Sequence, residues 1–219
     1  MQWNDHSKDF PEGSHTLFSP SQPAWRNDAT SEDVLSRYYR SLAPIIGTAV
    51  HEEARDCIIT NTKYTVKEAK KVLTKKLLTY NPQIPRGAFD VDFLSPNFVN
   101  YITDAIGYMM TPEQRLYYSE WFGGTTDAII FEQKKRILRI HDLKTGVNPA
   151  KFEQLENYAA LFFLEYGKKL DVRPGDCQIE LRIYQAGEIL EEYPTAEEIL
   201  PVMDSIIWHT NIMVKATEG

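Results

Sequence analysis

Two apolar runs on either side of a short polar turn constrain this chain more than any other feature. Thr126-Asp127-Ala128-Ile129-Ile130-Phe131 and Ile137-Leu138-Arg139-Ile140-His141-Asp142-Leu143-Lys144 flank Gln133-Lys134-Lys135-Arg136. Such runs predict the two strands of an antiparallel hairpin. A turn centred between Lys134 and Lys135 sets Asp127 opposite Asp142. Side chains alternate across a strand. Asp127, Ile129 and Phe131 therefore share a face with Leu138, Ile140, Asp142 and Lys144. That face is apolar until its last rung, which carries two carboxylates and an amine. Acids at the end of a buried face are costly unless a cation pairs with them, and a metal ion meets that need.

The 219 residues suit one sizeable domain. It is expected to have an irregular segment 1–29, a helical part 30–110 and a sheet-containing core 111–219. The net charge of −7 excludes a strongly basic nucleic-acid coat but leaves room for a local basic groove. No apolar run approaches the ~18 residues of a membrane span. Met1-Gln2-Trp3-Asn4-Asp5-His6 lacks the apolar core of a signal peptide. Cys57 and Cys177 lie far apart without metal-type spacing, so they are expected as reduced, buried thiols. Two cysteines do not supply the four thiolates of an iron–sulfur cluster.

Along the chain, Thr30 with Asp33 caps a helix through Val34, Leu35, Tyr38, Tyr39 and Leu42, which Pro44 is expected to break. A second helix runs from about Ile46 to Ile59. Thr65 and Glu68 form a capping box for a third, to about Leu78. Pro82, Pro85 and Pro96 predict a loop over 80–96, and Asn97 to Met110 reads as a helix. Gln114 to Phe122 reads as a strand ended by Gly123-Gly124. After the hairpin, a helix is predicted over Pro149–Tyr166. A strand over Ile179–Gln185 follows, then a turn at Ala186-Gly187-Glu188 into Ile189–Tyr193. Thr195 with Glu198 caps a last helix to about Lys215, with Pro201 inside it. This order predicts an α+β or α/β fold, a mixed sheet flanked by helices.

Asp127 and Asp142 are hard oxygen ligands suited to Mg²⁺ or Mn²⁺, and the Leu143 carbonyl could add a third oxygen. Lys144 could position or deprotonate a water, or stabilise charge developing on phosphorus. The set suits metal-assisted phosphodiester hydrolysis. A salt bridge between Asp142 and Lys144 at a strand edge, with Asp127 in a turn, explains the same residues equally well. Gln154 and Tyr158, four apart in the next helix, share a face from which an amide and a phenol could bond a phosphate or hold the lysine. A solvated polar helix face is the plainer alternative.

Taken together, Gly47-Thr48-Ala49-Val50-His51, Gly124-Thr125-Thr126-Asp127, Asp142-Leu143-Lys144 and Gln154-Leu155-Glu156-Asn157-Tyr158 resemble the PD-(D/E)XK nuclease superfamily. The likeness is to its RecB-like branch, with a histidine after a G-T pair, then G-x-x-D, (D/E)-x-K and Q-x-x-x-Y in that order. It spans residues 47–158 and extends to phage-type exonucleases and CRISPR-associated exonucleases, whose iron–sulfur cysteines are missing here. Thr126 stands where the superfamily name has proline. The resemblance implies a restriction-endonuclease-like core with a central mixed sheet of about four to five strands. It implies His51, Asp127, Asp142 and the Leu143 carbonyl as ligands of Mg²⁺ or Mn²⁺. It implies Lys144 as the catalytic amine, with Gln154 and Tyr158 completing the site. Ser19-Pro20-Ser21 and Trp25 are similar to a serine-rich N-terminal motif of phage members.

The expected function is a metal-dependent DNA nuclease, an exonuclease in phage DNA recombination or processing. Expected partners are DNA and either further copies of itself or a recombination protein, in the cytoplasm of a bacterial or phage-infected cell. The alternative is a non-catalytic DNA- or protein-binding module on the same fold; an anti-defence role belongs to that class, and no residue positively supports it. Lys63, Lys67, Lys70, Lys71, Lys75 and Lys76 make a basic helix that could meet DNA phosphates or simply be solvated. Glu113 and Glu120 lie on or near the preceding strand, and either could be an additional acid. Glu52 projects about 100° away from His51, and His141 lies on the face opposite Asp142. Trp121 and Phe122 could stack on a base, with core packing the plainer reading.

Overall fold

In the computed structural model, residues 16–81, 84–85 and 88–217 are described. Packing divides the chain into two compact units, Met1–Ile46 and Gly47–Gly219. In the first, a short 3-10 turn at Pro23–Asn27 leads to α1 (Ser31–Thr60), which continues into the second unit. Thr30 and Asp33 bond each other reciprocally, as the capping pattern predicts. Pro44 does not break α1; the helix runs through it. Proline removes one intrahelical hydrogen bond at a cost of about 3 kcal/mol, and the turns on either side outweigh that single loss. Ser19 is buried, its hydroxyl 2.8 Å from that of Ser21, and its carbonyl accepts from the Trp25 indole at 2.9 Å.

The second unit is an α+β fold built on a five-stranded mixed sheet in the order β1-β2-β3-β4-β5. The strands are β1 (Thr111–Ser119), β2 (Phe122–Glu132), β3 (Ile137–Leu143), β4 (Gln178–Gln185) and β5 (Glu188–Glu192). β3 and β4 are parallel and the other pairs antiparallel. Helices α2 (Val66–Tyr80) and α3 (Val91–Gly107) precede the sheet, α4 (Glu153–Leu170) connects the parallel pair, and α5 (Ala196–Thr217) ends the chain. No described helix is long and apolar enough to cross a membrane. Cys57 is buried and Cys177 half-buried, and neither forms a disulfide.

The hairpin register is the expected one: Ala128 pairs with His141 and Ile129 with Ile140. One face carries Ile129, Leu138, Ile140, Ile179, Leu181 and Ile183, packed against Leu155, Ala159, Phe162 and Phe163 of α4 and Ile199 and Ile206 of α5. Asp142 ends this apolar face, 4% exposed. Residues of the other parity, Arg139, His141, Glu180, Arg182 and Tyr184, meet α3 instead. Tyr184 donates to Asp104 at 2.7 Å and lies 3.1 Å from His141 Nδ1, and Arg139 stacks over Tyr108. Glu180 lies between two guanidiniums, 3.0 Å from Arg139 and 2.8 Å from Arg182.

Three sequence expectations shift. α3 starts at Val91, not Asn97, because Asp90 accepts from the amides of Asp92 and Phe93 and starts the helix ahead of Pro96. β1 starts at Thr111 and ends at Ser119, and Gly123-Gly124 lie inside β2 instead of ending a strand. α4 spans Glu153–Leu170, later at both ends than Pro149–Tyr166. The capping box at Thr65 forms as read, and at Thr195 the Glu198 carboxylate accepts from the Thr195 amide and hydroxyl.

Candidate active site

The site lies in the second unit, where the β2–β3 hairpin, the following α4 and the His51 turn of α1 meet. His51 Nδ1 is 3.3 Å from Asp127 Oδ2, and the same oxygen accepts the Leu143 amide at 2.8 Å. The residue expected to offer a carbonyl thus contacts the cluster through its N–H. Lys144 Nζ lies 3.1 and 3.0 Å from the two Asp142 oxygens and donates to Gln154 Oε1 at 2.8 Å. The Gln154 amide reaches the Tyr158 hydroxyl at 3.5 Å. Gln154 opens α4 one residue after its start. Its i, i+4 spacing from Tyr158 puts both on the side facing Lys144.

Glu113 completes the cluster, and the sequence placed it only among extra acids. A ligand atom of Glu113 lies within 4.8 Å of those of His51 and Asp127. The β1–β2 register pairs Pro112 with Ala128 and Gln114 with Thr126, so Glu113 falls opposite Asp127. The β2–β3 pairs run to Ala128 with His141, and one more step of that register brings Asp127 opposite Asp142, although the ligand atoms within 4.8 Å of one another are those of His51, Glu113 and Asp127. Three acids thus lie on one rung across three strands. Glu113 has φ +50°, in the left-handed region that a non-glycine residue enters only at a cost. Thr126, before Asp127, is buried and bonds the Gln114 carbonyl at 3.2 Å.

The rung is short of positive charge. Burial and the Asp127 charge push the Asp142 carboxyl up to about 6, despite Lys144. Burial, then Asp127, also raises Glu113. Burial opposes the His51 imidazolium, but the bond to Asp127 and the charges of Asp127, Asp142 and Glu113 outweigh it, so its pKa rises. Asp142 Oδ2 is buried, and the Lys144 ammonium 3.0 Å away is its charged neighbour. The His51, Glu113 and Asp127 ligand atoms, with the Asp142 carboxyl beside them, fit a hard divalent cation.

Gly124 serves the site by what it lacks. A Cβ there would lie 2.8 Å from Tyr158 Cε1, so only glycine lets the ring lie against β2. Glu120, in the β1–β2 turn, is not part of the cluster. His141 is fully buried on the α3 face, as its parity predicts.

Replacing Glu113 with glycine is expected to have opposite effects on fold and site. Glycine adopts φ +50° freely, so Glu113→Gly should raise unfolding stability by up to about 1 kcal/mol in chelator. The same change should weaken Mn²⁺ binding, read by titration calorimetry. Loss of stability without loss of Mn²⁺ affinity would contradict this assignment of Glu113.

Comparison of the chain with protein-family models, with curated proteins and with solved structures finds no match.

Proposed function

We propose that the protein is a divalent-metal-dependent nuclease that hydrolyses phosphodiester bonds in DNA, with exonucleolytic processing of phage recombination substrates as its role. The observation that carries this reading is the placement of Lys144. Its ammonium bonds Asp142 and Gln154 beside the cluster of His51, Glu113 and Asp127. His51, Asp127, Asp142 and Glu113 are the residues that would hold Mg²⁺ or Mn²⁺. A bound cation of that kind supplies charge neutralisation at a phosphate and acidifies water.

The remaining chemistry belongs to the side chains. An ammonium has three donors. Asp142 and Gln154 take two, which leaves the third for an attacking water or a phosphate oxygen. Gln154 and Tyr158 fix the long lysine side chain, so little orientation remains to be lost in the transition state.

Lys67, Lys71 and Lys75 follow i, i+4, i+8 spacing on α2 and are exposed. Lys70 and Lys76, by contrast, pair with Asp92 and Glu52. No carboxylate lies within 4.0 Å of the Lys67, Lys71 or Lys75 ammonium among the described residues. In a chain of net charge −7, such a stripe suits a phosphate backbone. Changing all three to alanine should weaken duplex binding. It should also cut the slope of log affinity against log salt by up to about 2.7, read by fluorescence anisotropy across a KCl series. An unchanged slope would place the DNA elsewhere.

The reading itself is tested with end-labelled linear DNA in Mg²⁺ or Mn²⁺. Wild type is expected to release nucleotides or short products, and Lys144→Ala to release none above background. Binding without cleavage by wild type would favour the binding-module alternative, and equal cleavage by both proteins would move the activity away from Lys144.

A further inference from the structure

Beside Lys144 lies a cavity of about 270 Å³ whose walls include Trp121, Phe122, Leu161, Asn157, Gln154 and Tyr158. We propose that it is a nucleobase subsite, which takes the base of the nucleotide next to the scissile phosphate. The inference rests on the nuclease reading above and adds a contact with the substrate's base to that reading.

Three observations carry it. First, the cavity shares a wall with the site: Gln154, which accepts from Lys144 at 2.8 Å, and Tyr158, which Gln154 reaches, both line it. A group held there sits against the same Gln154 that bonds Lys144. Second, Trp121 occupies the two-residue turn between β1 and β2, where turn geometry asks for no indole. It is half-buried against the cavity and absent from the main core cluster. An indole that lines an open cavity can serve as a stacking platform, and stacking accepts every base because every base has a π-face. Third, the cavity joins an apolar floor at Leu161 to a polar rim. The Asn157 side chain is exposed and makes no hydrogen bond among the described residues. Its amide offers donors and an acceptor to a base edge. An apolar slot with one amide at its rim matches a flat heterocycle with a polar edge. It suits neither a sugar nor an inorganic phosphate.

The test uses oligonucleotides that carry a single abasic residue at each position in turn. With wild type and Mn²⁺, an abasic residue at one position beside the cut should lower kcat/KM by roughly 5- to 150-fold, the range expected for one lost stack. Trp121→Ala should cause a similar loss on intact DNA and almost none on that abasic substrate. Trp121→Phe should restore most of the activity. The same oligonucleotides bound in EDTA, read by anisotropy, should show the same non-additive pattern without any hydrolysis. If every abasic substrate is cut and bound like intact DNA, the subsite is overturned. It is also overturned if Trp121→Ala costs the same on intact and abasic DNA. Absence of cleavage by wild type would overturn the nuclease reading alone, because the binding series in EDTA still decides the subsite.

Discussion

Asp142→Asn is expected to lower DNA cleavage by about 10³-fold while leaving the fold as stable as wild type, or more stable, in chelator. The two effects have one cause. Asp142 is 4% exposed at the end of an apolar face, and burial with the Asp127 charge pushes its carboxyl up to about 6. A native pKa above the ordinary 3.8 means that the fold favours the protonated form. That contribution is present at low pH and is lost as pH rises from 3.8 through about 6. At pH 7 the wild-type apo protein therefore carries an unfavourable buried charge, which asparagine removes at nearly constant volume. Added Mn²⁺ should reverse the order, stabilising wild type and leaving Asp142→Asn almost unmoved. Thermal midpoints with and without Mn²⁺, measured beside cleavage rates, check both halves. A variant that is unstable in EDTA, or one that still cuts, would mean that Asp142 is a structural acid.

Glu180→Gln is expected to be the most destabilising conservative change on the opposite face, at about 1.5–3 kcal/mol, the range for hydrogen bonds to charged groups. Glu180 lies between Arg139 and Arg182, both largely buried, and the amide would remove the carboxylate they share, leaving Arg139 to Glu132 and Arg182 to Asp104 and Glu191. Burial alone would raise the Glu180 carboxyl, but the His141 bond and the charges of Arg182 and Arg139 hold it below its ordinary 4.5. A depressed native pKa contributes stability that is complete above 4.5 and lost as pH falls through the native value. Wild type should therefore lose stability between pH 5 and pH 3 more steeply than Glu180→Gln. Urea unfolding of both proteins over that range measures the difference. Cleavage at pH 7 should survive in any Glu180→Gln that remains folded, since the network lies across the sheet from Lys144.

Much of this site is legible in the residues themselves, for local reasons. The hairpin register follows from apolar alternation on either side of one polar turn, and the observed pairs of β2 and β3 are those it predicts. The threonine–acid caps form because each is a contact across three residues. Proline misled twice: Pro44 and Pro96 both lie inside helices, where neighbouring turns absorb one missing bond. The Gly123-Gly124 pair looked like a stop. Its reason is a close approach by Tyr158 from α4, invisible without the tertiary packing. Glu113 joins the cluster only through the β1–β2 register, and Pro112 beside it hid the true start of that strand. Glu180, Arg182 and Tyr184 alternate with the apolar residues of β4, and only the packing of α3 over them turns them into a buried network.

The central claim is that the Glu113–Asp127–Asp142 rung, with His51, holds a divalent cation beside Lys144. Anomalous scattering from crystals of the protein soaked in Mn²⁺ tests it most directly. The expected result is a strong peak at coordination distance from His51, Asp127 and Asp142, absent from crystals of Asp127→Ala. No peak at the rung in fully soaked crystals, or a peak only elsewhere, would contradict the account and return Asp142 and Lys144 to an ordinary ion pair at a strand's end.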